Sequence, residues 1–214
     1  NSNKGKNRFT SLHSNPVELI YILGPGHCGS TLLNLCLDRH SEIVGVSEIA
    51  TLNRERPGWS GDENALANPF WAEVDRVMGE AESGRLSDVP FTLLTPSSSD
   101  EDSALWLNQA ALQAITRVSG KSIVCDASKQ PQRLEALLAS PRFNVRCIYL
   151  VRDGRAVVHA YRRKYGTLLP GWQKLIQTEH AARRLRRKYG TDGWLTVRYE
   201  DMANNLEGTL RDIC

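Results

Sequence analysis

No Cys-x-x-Cys pair occurs in this chain, and its five cysteines (Cys28, Cys36, Cys125, Cys147, Cys214) do not cluster with its five histidines. Zinc ribbons and thioredoxin-like redox motifs are thereby excluded, and reduced thiols are expected. Also missing is any apolar run near the roughly 18 residues of a membrane span, and the polar start Asn1–Phe9 lacks the apolar core of a signal peptide. No Asn-x-Ser/Thr acceptor is present. These absences suit a cytoplasmic protein, and the trimmed lumenal domain of a Golgi enzyme would share them. Neither sign of charge dominates. Lys+Arg number 27 against Asp+Glu 24, a net +3 that implies no nucleic acid yet accommodates a ligand with several phosphates.

The 214 residues, 41% hydrophobic and 24% charged, suffice for one domain with a real core. We expect a flexible basic segment over 1–16 and a single α/β domain over 17–214. Val17–Leu23 is a near-continuous apolar run rich in β formers and reads as a buried strand. Further strands are expected over Ile43–Val46, Ser122–Cys125, Val145–Val151 and Leu195–Tyr199. Helices are expected over Ser30–Arg39, Pro69–Met78, Ser98–Gly120, Gln132–Ala139, Gly154–Lys164, Trp172–Tyr189 and Leu206–Ile213. Such alternation implies a central, mainly parallel sheet flanked by helices in three layers, like that of P-loop proteins.

Between the first strand and first helix lies Gly24-Pro-Gly26-His27-Cys28-Gly29-Ser30-Thr31, which keeps the G-x-x-x-x-G frame of a phosphate loop in the context that the motif requires. Glycines let backbone wrap an anion, and the amides of Gly29, Ser30, Thr31 and Leu32 lie at the positive end of the helix. An ATPase loop would carry Lys where Ser30 stands, which weighs against ATP hydrolysis. A plain strand-to-helix turn is the alternative. A second charged loop, Val151-Arg152-Asp153-Gly154-Arg155, follows a strand and opens a helix, so it too gathers at the carboxyl edge of the sheet, where ligands of such folds bind. A solvated ion-pair cluster would read the same way.

The two loops together resemble those of sulfotransferases that use 3'-phosphoadenosine 5'-phosphosulfate. His27-Cys28-Gly29-Ser30-Thr31 is similar to the family's 5'-phosphosulfate loop, with His27 where Arg or Lys is usual. Val151-Arg152-Asp153-Gly154-Arg155 resembles its 3'-phosphate segment. Arg152 matches the arginine, whereas Ala160 replaces the serine eight residues on, the loss of one hydroxyl contact worth about 1 kcal/mol. Asp126-Ala127-Ser128-Lys129 and Arg198-Tyr199-Glu200-Asp201 resemble further segments of bacterial members, so the likeness spans roughly Val17 to Cys214. The family's later C-terminal portion has no counterpart here.

The resemblance implies a sulfuryl donor, a hydroxyl-bearing acceptor (carbohydrate, tyrosyl peptide or small metabolite) and no required metal. By position Glu48 matches the glutamate that serves as base in tyrosylprotein and several carbohydrate sulfotransferases. Lys129 is a candidate for the charge that a neutral His27 would not supply, and Tyr199 for packing near adenine. The nucleotide contacts implied are Gly26, His27, Cys28, Gly29, Ser30, Thr31, Leu32, Arg152, Ala160 and Tyr199. Each has a plainer alternative: a surface carboxylate for Glu48, a solvent-facing amine for Lys129, a core ring for Tyr199. Trp59, Phe70, Trp71 and Phe91 fall in the least regular stretch and identify no acceptor. The basic run Arg183-Arg184-Leu185-Arg186-Arg187-Lys188 suggests either a solvated helix face or a polyanion-binding module. A nucleotide kinase or NTPase is the other enzyme class that the loop admits. Oligomeric state is not readable.

Overall fold

The computed structural model describes residues 15–52, 68–89 and 101–214. Five strands form one wholly parallel sheet in the order β2-β3-β1-β4-β5: β1 (Val17–Leu23), β2 (Ile43–Gly45), β3 (Ile123–Asp126), β4 (Phe143–Val151) and β5 (Trp194–Arg198). β1 is central because both its faces are apolar. Val17, Leu19, Tyr21 and Leu23 alternate into one core cluster, and Ile20 and Ile22 into the other. The first cluster is covered by α2 (Pro69–Glu80), α3 (Glu101–Ser119), α4 (Pro131–Ala139) and α6 (Leu169–Tyr189). The second is covered by α1 (Ser30–Leu37), α7 (Tyr199–Asn204) and α8 (Leu206–Ile213). These are the three layers expected from sequence.

From β1 the chain crosses over β3 to reach β2, whereas from β3 it crosses over β1 to reach β4. The connecting helices α1 and α4 lie on opposite faces, so a crevice opens at the carboxyl end of β1 between the loops after β1, β3 and β4. The last helix to be introduced, α5 (Gly154–Tyr165), starts at that edge behind an Asp153 cap whose side chain accepts the Arg155 N–H.

Most element boundaries fall within about three residues of expectation, as capping ambiguity allows. Tyr199 is a correction. It begins α7 instead of ending β5, and Glu200 and Asp201 follow it as the first-turn acids that favour a helix start. Phe70 and Trp71 pack against the first core cluster as a T-shaped pair, whereas Trp59, Phe91 and residues 98–100 at the expected start of α3 lie outside the described residues. So does most of the N-terminal segment expected to be flexible. Among the described residues no helix is long and apolar enough to cross a membrane, and no three of His, Cys, Asp and Glu converge as a metal cluster.

Candidate functional site

Four described non-glycine residues have positive φ: His27 (63°), Ser47 (53°), Glu82 (54°) and Lys129 (59°). Three of them adjoin the crevice. Left-handed backbone is unfavourable for side-chain-bearing residues, and where a fold holds it in place it commonly marks a working loop.

In the loop after β1, Gly29 caps α1 at φ 98° with the Tyr199 ring directly against its Cα, where a Cβ would sit only 2.4 Å from the ring. Leu33 is the first residue whose N–H bonds back along the helix, to Gly29 at 3.1 Å, so the amides ahead of it have no carbonyl one turn back, that of Ser30 bonding the Cys28 sulfur instead. Cys28 and Ser30 are buried, while the Thr31 and Leu32 side chains are exposed. Burial pushes the Cys28 thiol up. Cys28 therefore packs under the loop and is no nucleophile; only its backbone can meet a ligand.

His27 heads a cationic corner. Desolvation chiefly, then Lys164, Arg152, Arg163 and Lys129, holds its imidazole below its ordinary value of 6.5, so the ring is neutral at pH 7 while the groups around it are positive. Its ring meets Tyr161 edge-on at 4.9 Å and lies 6.3 Å from Tyr165. Tyr161 is in turn wedged between glycines. The Gly26 backbone is its hydrogen-bond partner, a Cβ on Gly26 would fall 2.3 Å from its hydroxyl, and one on Gly171 would fall 3.1 Å from its Cβ.

Arg152 donates to the His27 carbonyl at 2.8 Å and stacks on Tyr199, 4.2 Å from the ring centroid. Such a stack is worth ~1 kcal/mol. The adjacent Glu200 accepts the Asp153 N–H at 2.8 Å, so consecutive residues of α7 fix consecutive residues of the β4 loop. Arg155 instead pairs with its own neighbour Asp153 in an exposed contact and takes no part in the crevice. Ala160 is half-buried on α5 and offers no hydroxyl.

Across the crevice, Lys129 Nζ meets Glu48 Oε1 at 2.8 Å and the Ala127 carbonyl at 2.9 Å. The lysine side chain is 12% exposed and the glutamate 40%. Lys129 is therefore not a solvent-facing amine, whereas the Glu48 carboxylate, though paired with it, still lies at the surface. That pair stands on a buried lattice. Asp126 accepts from the Ser128 N–H at 2.8 Å and from Arg133 Nε at 2.8 Å, both ion-pair side chains being fully buried. Ser128 Oγ accepts the Ala50 N–H at 3.0 Å, and the Ala127 N–H bonds Ser47 at 2.7 Å, locking the Glu48 turn to the β3 loop. Buried Asn34 of α1 completes the lattice, donating to the Cys125 carbonyl at 3.1 Å and accepting from the Ser47 N–H at 3.2 Å.

Sequence reasoning thus named Glu48, Lys129, His27, Arg152 and Tyr199, which the fold brings to one edge, and missed Asn34, Tyr161 and Glu200. Asn34 did leave a signal, a polar side chain between Leu33 and Leu37 on the buried face of α1. In the basic run on α6, Arg184 and Lys188 pair with Glu135, whose carboxyl the Arg184 contact foremost holds at about 2, and Arg183 pairs with Glu179, while Arg187 is exposed.

A family model described as the sulfotransferase family matches residues 19–214. The fold is similar to the sulfotransferase domain of the Synechococcus PCC 7002 olefin synthase, at 19% identity and TM-score 0.59, covering 94% of this chain and 73% of that one. It is similar also to the sulfotransferase domain of the curacin biosynthetic pathway, at 19% identity and TM-score 0.62, covering 94% and 74% respectively. Sulfotransferase STF1 from Mycobacterium tuberculosis H37Rv aligns at 19% identity and TM-score 0.51, covering 94% and 67%. No curated protein matches.

Proposed function

Because this chain belongs to the sulfotransferase family, we propose that it moves a sulfuryl group from 3'-phosphoadenosine 5'-phosphosulfate to an acceptor hydroxyl by in-line displacement. What carries the reading is the meeting, at one sheet edge, of the amide-rich loop 24–32, the Arg152–Tyr199 stack and the Glu48–Lys129 pair. Residues 17–214 act in it as one domain.

The loop amides and the α1 end hold the 5'-phosphosulfate, Arg152 takes the 3'-phosphate, and Tyr199 packs beside the base. Glu48 accepts the acceptor proton as the hydroxyl oxygen bonds to sulfur. The bond from sulfur to the bridging oxygen breaks, and the electron pair leaves with 3',5'-adenosine bisphosphate. Charge builds on that oxygen and on the sulfuryl oxygens. Lys129, released from Glu48 as the carboxylate is protonated, is the mobile cation that meets it, and His27 is the polar neighbour on the other side. Amides and cations supply the stabilisation, so the step calls on no metal ion.

Transfer of labelled sulfuryl groups from the donor to a panel of phenols, sugars, tyrosyl peptides and water tests the reading. Glu48→Gln should lower turnover on any accepted hydroxyl by about 100-fold or more while leaving nucleotide affinity within about threefold. Full turnover by Glu48→Gln would remove it as the base.

A further inference from the structure

Nine large hydrophobic side chains are exposed among the described residues, and five of them crowd into one short stretch: Tyr165 (54%), Leu168 (44%), Leu169 (62%), Trp172 (51%) and Ile176 (53%). Leu169, Trp172 and Ile176 are three and seven residues apart along α6 and share its outer stripe, opposite the buried Gly171, Thr178, Ala182 and Leu185. The same stripe continues through His180 to Arg187, so an apolar end passes into a basic one.

Cations dominate the charge around this patch, the nearest acids being Asp153 and Glu179, which pair with Arg155 and Arg183. Residues 154–178 contain no Asp or Glu, while Arg155, Arg162, Arg163, Lys164 and Lys174 lie among them. Arg162, Arg163 and Lys164, at the end of α5, are exposed and, among the described residues, take no part in an ion pair. Beside the patch a cleft of ≈ 340 Å³, lined in part by Pro25, Val151, Trp172, Leu175 and Ile176, runs to Arg152.

We propose that the turn between α5 and α6 is a membrane-contact surface, seating Leu168, Leu169 and Trp172 in the interface of an anionic bilayer while Arg162, Arg163 and Lys164 meet its headgroups. An apolar tip ringed by cations, with a tryptophan at the boundary, matches the chemistry of such an interface. A protein partner would have to present apolar surface and acids in one matching register, whereas anionic lipid offers both at every point. Because Tyr165 lies 6.3 Å from His27, docking here would bring the crevice against the headgroup layer. The inference goes beyond the reading above and stands without it.

The test is co-sedimentation of the whole chain with vesicles of phosphatidylcholine, alone or with one third phosphatidylglycerol, at low and high salt. We expect at least about tenfold stronger partitioning onto the anionic vesicles, loss of most of it at high salt, and quenching of Trp172 fluorescence by brominated lipid. Leu169→Asp, with most of its side chain already in water, should keep the thermal midpoint and abolish sedimentation, and Trp172→Phe should remove the quenching. The proposal is overturned if neither vesicle carries the protein down, if Leu169→Asp sediments like the parent, or if the patch proves to be buried between two copies of the chain in solution.

Discussion

Asp126→Asn probes the lattice on which the Glu48–Lys129 pair rests. Both side chains of the Asp126–Arg133 pair are fully inaccessible, with Arg133 Nε 2.8 Å from the carboxylate and Nη1 2.8 Å from Asn108. Removing the negative partner strands a guanidinium where water cannot reach it, and breaking a pair of this kind costs about 3–5 kcal/mol. For a domain of this size that is a fall of roughly 6–20 °C in Tm. The double variant Asp126→Leu, Arg133→Met removes both charges and should regain most of the stability, because well-packed apolar substitutes for buried pairs are often neutral or better. It should not regain turnover. Without the carboxylate, Ser128 loses the acceptor that orients it toward the Ala50 amide, and the Glu48 turn loses its register. Thermal and urea unfolding supply the stabilities, and donor turnover the activities. A loss under about 1 kcal/mol for Asp126→Asn, or full turnover by the double variant, would refute the reasoning.

Protonation of His27 should couple to ligand binding and to stability. Its folded value is lowered, so below about pH 6.5 the unfolded chain binds the proton more readily and this group's contribution to stability declines as pH falls. A polyanion in the crevice reverses the neighbours' effect and draws a proton onto the ring; affinity should therefore rise as pH falls from 8 to 6 by more in the parent than in His27→Gln, and equal slopes in calorimetry would contradict this. Lys129→Met should reduce turnover at least about tenfold with little change in nucleotide affinity, since its charge acts on the developing oxygen charge; single-turnover rates decide it. Gly26→Ala should displace Tyr161 and weaken bisphosphate binding, whereas Gly166→Ala, just past the end of α5 and facing open space, should affect only stability through its φ of 77°.

The order of strands, loops and helices was legible because buried parallel strands read as unbroken apolar runs and because Gly24 and Gly29 punctuate the first crossover. The choice of Arg152 over Arg155 for the crevice was legible only through the family resemblance, and not from the local sequence. Both sit in one five-residue segment, and only the folded chain sends one to His27 and returns the other to Asp153. Glu48 and Lys129 were identified separately, but their pairing depends on a left-handed turn at Lys129 and on the buried Asp126–Ser128 lattice, neither of which has a local sequence signature. The pairing of Arg184 and Lys188 in the α6 basic run was likewise set at long range, by Glu135 on another helix. Tyr199 shows local signals in competition: a tyrosine after an apolar strand reads as β, and the two acids behind it settle the helix.

The most direct test of the central claim is calorimetric titration of the chain with 3',5'-adenosine bisphosphate, set against ADP with magnesium and repeated on Arg152→Ala. The account predicts that the bisphosphate binds much more tightly than ADP and that Arg152→Ala removes most of that preference. Equal affinity for the two nucleotides, or a preference that survives Arg152→Ala, would contradict it.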